Sequence, residues 1–425
     1  MENREGRSPW WYIPSLYFAE GVPYVLINTV SVILYKRMGV GNASIAFWTS
    51  WLYLPWVIKM LWGPLVDTRS TKRDWVLGTQ LALAACLGVA ALSLRLPAFF
   101  FPSLAFFALG AFISATHDIA ADGFYMLALD EKDQALFVGI RSTFYRLAMI
   151  FGSGALVVFA GTLETRTGNI PLAWSVVFLA GGAMFVVLAA YHRWALPKPE
   201  GDGAAASSPA PGASEGGSFG EVFVSYFQQE KVVPTVAFIL LYRLGEAMLL
   251  KLVSPFLLDA RAVGGMGLTT AQVGFVYGTV GVGSLVVGGI LGGWLISRFG
   301  FRRCLWPMVL TLHAPDLFFV YMAYAQPPVW MTGFLVAAEQ FGYGFGFTPF
   351  MVYLMMRAGS SRYKTSHYAI STGIMALGMM GPGFVSGWLQ QTVGYRMFFV
   401  IVCLCTIPGM SVIPFIPKGK PQPPV

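Results

Sequence analysis

The stretch GPLVDTRSTKR, Gly63 to Arg73, closes an apolar segment and recurs as GWLISRFGFRR, Gly293 to Arg303. Each copy follows the second apolar segment in a set of six. A tandem repeat of six segments in one orientation predicts two halves related by an axis along the membrane normal. A chance likeness between two basic loops is the alternative. At one constant offset of 230 residues (293 − 63), the aligned positions are Gly63, Asp67, Lys72 and Arg73 with Gly293, Ser297, Arg302 and Arg303.

The composition places the chain in a membrane. Of its 425 residues, 56% are hydrophobic and 11% are charged, and the mean hydropathy is +0.63. Soluble domains carry about 25% charged residues. The net charge of +8 would suggest a nucleic-acid partner in a soluble protein. Here the position of the charges matters more than their sum, so we expect membrane lipid around the chain and no nucleic acid.

Twelve apolar segments are long enough to cross a bilayer. Between the two sets of six, the segment Pro197 to Ser218 is rich in Pro, Gly, Ala and Ser, which predicts a flexible linker. The sequence thus predicts an all-α polytopic protein with an N-terminal bundle (1–196), a linker (197–232) and a C-terminal bundle (233–425). The predicted spans are 11–37, 44–66, 75–95, 99–128, 134–160, 172–196, 233–258, 270–297, 303–324, 328–356, 365–391 and 395–416.

Lys and Arg residues concentrate on one side of these spans. With the N-terminus inside, the inner segments hold seventeen of them and the outer segments six. Because cytoplasmic loops carry an excess of Lys and Arg, we expect both termini and the linker to face the cytoplasm.

Ionisable residues also lie at membrane depth, where each costs several kcal/mol, about 2.5–3.5 on insertion scales, unless it is paired or hydrated. In FISATHDIAADGFYM (112–126), Asp118 and Asp122 are i,i+4 neighbours. Span 5 returns antiparallel, so we expect Arg146 at the depth of Asp118 and Arg141 at the depth of Asp122. These groups can carry a proton and exchange partners, or they can be static ion pairs that fix helix packing. With Arg opposite, His117 and the two acids do not suggest a metal site.

Spans 7 and 10 carry further charges. Arg243 and Glu246 share a face. Either they pair with each other, or Arg243 binds a substrate carboxylate while Glu246 carries a proton. Lys59 and Lys251 are expected to snorkel to the membrane surfaces, and Asp316 has no assigned role. The expected proton-coupling residues are Glu20, His117, Asp118, Asp122, Glu246 and Glu339, and the expected basic substrate ligands are Arg141, Arg146 and Arg243.

Aromatic residues interleave with these charges. Their rings can stack on sugar rings and Tyr hydroxyls can supply polar contacts, although ordinary helix packing is the alternative for each. In EQFGYGFGFTPF (339–350), alternating glycines predict close helix contact or bending. The candidate aromatic substrate ligands are Tyr24, Tyr125, Tyr145, Tyr242, Phe341 and Tyr343.

The repeated loop resembles the signature of the major facilitator superfamily. In this interpretation, Gly63 and Gly293 allow close approach of helices, and Asp67 pairs with a basic loop residue to lock the outward-open state. Ser297 replaces the acid in the second copy, so the second lock is weaker. A simple membrane-surface anchor is the alternative. The expected gating residues are Gly63, Asp67, Lys72, Arg73, Gly293, Ser297, Arg302 and Arg303.

Further motifs look like AmpG-type permeases of that superfamily. They are YFAEGVPY in span 1, LPWVIKMLWGPLVD in span 2, THDIAADGFY in span 4, LLYRLGE in span 7, and AEQFGYGFG and SHYAISTG in spans 10 and 11. The wider group includes acetyl-coenzyme A transporters of eukaryotic internal membranes.

The resemblance implies a twelve-span facilitator fold in which spans 1, 4, 7 and 10 line a central cavity. It implies proton-coupled import of anhydro-muropeptides across the bacterial inner membrane by a monomer. The family's acids carry over to Asp118, Asp122, Glu246 and Glu339, and its basic residues to Arg146 and Arg243. Two departures, His117 where Gln is expected and Glu20 where a small polar residue is common, leave the substrate and the coupling stoichiometry open.

Two other classes of function remain. The first is a facilitator for another anionic solute, such as an acyl-coenzyme A, a siderophore or a drug. The second is a membrane enzyme or a sensor, but the sequence shows no catalytic triad, metal cluster or nucleotide-binding loop. We therefore expect a transporter without enzyme activity, cofactor or metal.

Overall fold

The computed structural model describes residues 7–199, 202, 219–359, 361 and 363–417. Most of the predicted linker and both predicted cytoplasmic termini lie outside these residues. The side chain of Asp67 also lies outside the described part, so the proposed lock at this residue is not described. Within the described residues every regular element is a helix, and the predicted all-α membrane architecture is confirmed.

The helices of the first half are interrupted at several spans. Span 1 contains Pro23 and a π-helical turn, Leu26–Val30. Span 5 has a similar turn at Phe151–Leu156. The helices are Ile13–Val25 and Ser31–Arg37 (span 1), Asn42–Ser50, Leu54–Ile58 and Gly63–Arg69 (span 2), Lys72–Ser93 (span 3), Phe100–Ala128 (span 4), Glu131–Ile150 and Val157–Thr167 (span 5) and Ile170–Ala195 (span 6).

The second half is interrupted at spans 7, 8 and 9. Spans 11 and 12 form one helical stretch that is bent at Gly394, where φ is 74° and the backbone is not helical. A short helix also forms within the predicted linker. The helices are Phe219–Phe227 (linker), Val232–Leu241 and Leu244–Leu258 (span 7), Thr270–Val273 and Val282–Phe299 (span 8), Phe301–His313 and Asp316–Ala325 (span 9), Val329–Gly359 (span 10) and Lys364–Val412 (spans 11 and 12).

Among the described residues, eight helical segments are long and apolar enough to cross a membrane. This number is lower than the predicted twelve for physical reasons. Spans 2 and 7 are divided into short pieces, spans 11 and 12 count once as Ser366–Val412, and the glycine-rich span 10 is less apolar.

The chain divides into two compact units. The first comprises Met1–Met38 and Ile58–Ser208, and the second comprises Gly39–Val57 and Pro209–Val425. Each unit has its own apolar core. The core of the first includes Tyr12, Tyr17 and Phe124, and that of the second is built around aromatic residues of spans 7 and 10.

Glycines set the distance between spans 8, 9 and 10 in the second unit. A Cβ added to Gly344 would overlap the backbone of Leu285 in span 8, and one added to Gly346 would lie 2.7 Å from the Met308 carbonyl oxygen in span 9. The predicted close contacts of the span 10 glycines are therefore confirmed. No described atom lies within 4 Å of a Cβ built at Gly63 or Gly293, so the described residues show no close contact at these two positions.

Candidate functional site

Asp122 of span 4 lies at the centre of a polar cluster in the first unit. The Tyr17 hydroxyl donates to Asp122 Oδ1 over 2.8 Å, and Arg141 Nη1 lies 3.2 Å from the same oxygen. Arg141 also donates to the Tyr17 hydroxyl over 3.0 Å, and its guanidinium stands over the rings of Tyr17 and Tyr125 at 4.9 and 5.2 Å. The predicted pairing of Asp122 with Arg141 is therefore present. Sequence reasoning did not assign Tyr17 to the site, although it stands three residues before Glu20 in YFAEGVPY.

Asp118 pairs with span 2 rather than with span 5. Lys59 Nζ lies 3.7 Å from Asp118 Oδ2. The expected pairing of Asp118 with Arg146 is wrong, since Arg146 forms no ion pair among the described residues. Arg141 and Arg146 are five residues apart, which rotates their side chains by about 140° around a helix, so both cannot face span 4.

Lys59 therefore does not behave as a snorkelling surface residue. It begins a short 3₁₀ turn, Lys59–Leu61, that interrupts span 2 and turns its ammonium group towards span 4. Such a turn within a span is a common feature of functional sites in helices. The ion pair with Asp118 is not the arrangement that snorkelling predicts for Lys59.

Glu20 of span 1 completes the cluster. It lies within electrostatic range of Asp118, Asp122, Lys59 and Arg141, and its Oε2 atom is buried without a hydrogen-bond partner in the described structure. When every group is ionised, three carboxylates face two cations, a net charge of 2 − 3 = −1. One proton neutralises this set, and one added anionic group on a substrate would compete with the acids for the two cations.

The cluster is accessible. The side chain of Asp122 is 42% exposed and that of Arg141 is 34% exposed, whereas Asp118 is only 11% exposed. A small molecule or water can therefore reach the Asp122–Arg141 pair.

His117 belongs to a separate buried chain of hydrogen bonds. Its Nε2 lies 3.1 Å from the Gln80 side-chain nitrogen, Gln80 contacts His192 Nδ1 at 2.8–3.0 Å, and His192 Nε2 lies 2.9 Å from Ser15 Oγ. His117 Nδ1 has no partner within the described structure. The chain connects spans 1, 3, 4 and 6 inside the first unit.

The first unit holds three aromatic candidates, Tyr24, Tyr125 and Tyr145, of which Tyr125 contacts the Asp122 cluster through Arg141. The Tyr24 and Tyr145 rings are 6.4 Å apart. Tyr125 donates its hydroxyl to the Gln134 carbonyl oxygen, so its ring rather than its hydroxyl faces Arg141. Tyr125 can therefore hold a cation or a sugar face, but its hydroxyl is already bonded.

In the second unit, Arg243 and Glu246 stand at a break in span 7, between Val232–Leu241 and Leu244–Leu258. Arg243 donates to the Tyr343 hydroxyl, and its guanidinium lies over the Tyr343 and Phe347 rings at 5.2 and 4.7 Å. Pairing of Arg243 with Glu246, one of the two alternatives that the sequence left open, is therefore not the arrangement found. Both Glu246 oxygens are buried without a hydrogen-bond partner in the described part of the chain.

The remaining candidates of the second unit differ in their surroundings. Glu339 is buried and accepts one hydrogen bond, of 3.0 Å, from Gln340. Phe341 stacks on Phe345 at 5.8 Å. Tyr242 lies in the core, where its hydroxyl donates to the Gly346 carbonyl oxygen over 2.7 Å and its ring stacks on Phe350.

Three buried residues were missed or left without a role. His313 and Asp316 flank a break in span 9, and their side chains are 3.8 Å apart. Lys251 is buried rather than snorkelling, donates to Thr49 Oγ1 over 3.2 Å and lies over the Tyr53 ring. The signal for Asp316 was its depth alone, and its partner His313 lies three residues before it.

The loop residues are tied within their own units. Backbone N–H groups of Lys72 and Arg73 donate to the Asp202 carboxylate, and the Arg73 side chain donates to carbonyl oxygens at the end of span 6. Ser297 donates to the Trp294 carbonyl oxygen of its own helix. Arg303 lines an apolar groove of about 260 Å³ between spans 8, 9 and 10. Among the described residues no group of three His, Cys, Asp or Glu side chains is placed to hold a metal ion.

Residues 15–371, most of the chain, match the Major Facilitator Superfamily. The chain belongs to this superfamily. Its fold is like that of a D-xylose–proton symporter, with a TM-score of 0.70 at 10% identity over 96% of this chain and 98% of that one. As a member of this superfamily it is a transporter, not an enzyme, of the bacterial inner membrane, and the described part of the chain has several apolar helices long enough to span one.

Two curated relatives carry names from one group of transporters. The anhydromuropeptide permease of Escherichia coli (strain K12) is 24% identical over 404 residues, which cover 94% of this chain and 77% of the relative. A putative transporter AmpG 2 of Rickettsia typhi is 25% identical over 374 residues, which cover 85% of each protein. The resemblance to AmpG-type permeases is thereby confirmed.

Proposed function

We propose that this facilitator imports anhydro-muropeptides into the cytoplasm by proton symport with alternating access, for cell-wall recycling. The observation that carries the proposal is the cluster of Glu20, Asp118 and Asp122 with Lys59 and Arg141 in the first unit. The name of the Escherichia coli relative supports the substrate class.

The cluster suits a substrate of this chemistry. A sugar–peptide carries carboxylates that Arg141 can bind, an ammonium group that Asp122 can bind, and sugar faces that Tyr17 and Tyr125 can stack on. Because three acids face two cations, protonation of one acid brings the set to zero net charge (2 − 2), and a bound substrate carboxylate then returns it to −1 rather than taking it to −2. Proton binding and substrate binding would then favour each other, which is the requirement for symport.

The test is uptake of a labelled anhydro-muropeptide into proteoliposomes with and without an inward proton gradient. We expect gradient-driven uptake by the wild type, and its loss in Asp122→Asn. Asp74→Asn, at the first turn of span 3 and outside the cluster, is the matched control and should transport normally.

Two outcomes would contradict the proposal. Absence of both uptake and binding in the wild type would exclude the muropeptide and direct the search to other anionic solutes, such as an acyl-coenzyme A or a siderophore. Uptake that is equal with and without the gradient would exclude proton symport.

A further inference from the structure

Span 9 is interrupted near its middle, and two ionisable residues stand on either side of the interruption. One helix, Phe301–His313, ends at His313, and the next, Asp316–Ala325, begins with Asp316. Pro315 lies between them and lacks the backbone N–H that a continuous helix requires. Irregular backbone at membrane depth is tolerated only where it is buried in protein or lines a cavity, and broken spans of transporters commonly form ion sites.

The two side chains face each other in a buried environment. His313 Nδ1 lies 3.8 Å from Asp316 Oδ2, and the side chains are 4% and 0% exposed. Neither nitrogen of His313 and neither oxygen of Asp316 has a hydrogen-bond partner in the described structure. Among the described ring contacts, the His313 imidazole has one close neighbour, the Tyr242 ring, whose centroid lies 5.9 Å away.

Other ionisable groups surround the pair from every packed span. Glu246 of span 7 lies within electrostatic range of Asp316, His313 and Arg243, and Glu339 of span 10 within range of Glu246 and Asp316. The weak acids Tyr277 of span 8 and Cys403 of span 12 are also close to these acids.

The described charges do not balance when all are ionised. Arg243 supplies one positive charge against three carboxylates, which gives 1 − 3 = −2 with a neutral imidazole. Buried carboxylates that lack hydrogen-bond donors are strongly disfavoured, and such groups bind protons instead. The arrangement is therefore stable only when it holds protons.

We propose that the break in span 9 is a proton-binding site, in which Asp316 and His313 hold and exchange a coupling proton beside Glu246 and Glu339. The proton passes from the Asp316 carboxyl to His313 Nδ1, which leaves a carboxylate and an imidazolium with no change in total charge. The imidazolium then releases the proton to water. This inference rests on the proposed proton symport and adds a second coupling site to it.

The site has no counterpart in the first half of the chain. At the offset of the repeated loop, 230 residues, the positions that correspond to His313 and Asp316 are Leu83 and Cys86. They lie in the uninterrupted helix Lys72–Ser93. The pair therefore adds chemistry that the repeat alone does not explain, and it supplies a proton in addition to the one bound near Asp122.

The first test needs no substrate. Infrared spectra of the purified full-length protein are recorded as a function of pH, and the C=O stretch of protonated carboxyl groups is followed. We expect Asp316→Asn to lose part of this band. The control is Asp259→Asn, which should keep the band; Asp259 lies outside the site and accepts a hydrogen bond of 2.6 Å from Tyr395. An unchanged band in Asp316→Asn would overturn the proposal. His313→Gln is the second variant. The pH midpoint at which its carboxyl band disappears should differ from that of the wild type. An unshifted midpoint would remove His313 from the site.

The second test measures coupling in proteoliposomes with a labelled anhydro-muropeptide. Each coupled proton multiplies the accumulation ratio about tenfold per pH unit of gradient. We therefore expect Asp316→Asn to accumulate about tenfold less while its substrate counterflow persists. An unchanged ratio would overturn the coupling role. If the wild type takes up no muropeptide, the proposed function fails, and the infrared result alone still decides the proton site.

Discussion

The close packing of spans 8 and 10 can be tested with two glycines that differ only in their surroundings. Gly344 and Gly293 both lie inside helices, so replacement by Ala gains about 1 kcal/mol of helix propensity at either position. A Cβ at Gly344 would lie 2.8 Å from the carbonyl carbon of Leu285 and 3.0 Å from its Cα. At Gly293, no described atom lies within 4 Å of the added Cβ.

The expected loss of stability in Gly344→Ala follows from this difference. Ordinary contacts of a Cβ begin near 3.4 Å, so the two helix backbones must separate by several tenths of an ångström, and no flexible side chain can yield instead. Overpacking of this kind costs about 1–3 kcal/mol. For a unit of about 200 residues, each kcal/mol lowers the melting temperature by about 2–4 °C. We expect Gly344→Ala to melt about 2–12 °C below Gly293→Ala.

The assay is thermal unfolding of both variants and the wild type in the same detergent, with the Gly293→Ala value as the reference for propensity. Equal melting temperatures for the two variants would refute the reasoning, because the overlap with Leu285 would then carry no cost. The separation should also reduce transport in Gly344→Ala, since this helix carries Glu339 and Tyr343.

Two further substitutions test the cluster of the first unit. Tyr17→Phe removes the hydroxyl that donates to Asp122 but keeps the ring. We expect normal folding and uptake reduced about tenfold, which corresponds to the loss of one charge-assisted hydrogen bond. Normal uptake would exclude the hydroxyl from the site. Lys59→Met removes the ion pair with Asp118, so uptake should be lost or become independent of the proton gradient. Arg146→Met is the control and should have little effect. Equal losses of uptake in the two variants would show that the ion pair is not the cause.

The architecture was predictable because its signal is repeated along the chain. Twelve apolar segments, a polar linker and a loop that recurs after 230 residues all indicate the same fold. The helix breaks were harder to predict. Pro315 marks the break in span 9, but the break between Leu241 and Leu244 contains neither Pro nor Gly. It depends on partners for Arg243 that lie on span 10, and a linear sequence does not reveal them.

The site was predictable only where neighbouring helices fix the register. Asp122 and Arg141 lie on adjacent antiparallel spans, and counting residues was enough to pair them. Lys59 was misread because its depth near the end of span 2 suggested snorkelling, and the 3₁₀ turn that directs it to Asp118 has no clear sequence signal. His313 was overlooked, although Asp316 lies three residues after it in the same span, because the sequence alone did not show that the two side chains face each other.

The two units differ in their charge patterns, and from this difference we expect different tasks for them. In the first unit, the acids Asp118 and Asp122 have cationic partners at 3.7 and 3.2 Å. Such pairs can exchange one partner for a charged substrate. In the second unit, both oxygens of Glu246 and of Asp316 have no hydrogen-bond partner among the described atoms, and such groups are stable only with protons. Under the proposed function, a substrate carboxylate and one proton therefore meet at the first site and a second proton binds at the other. Substitution of the paired acids should then alter both substrate affinity and coupling, whereas Asp316→Asn should alter the number of protons per substrate.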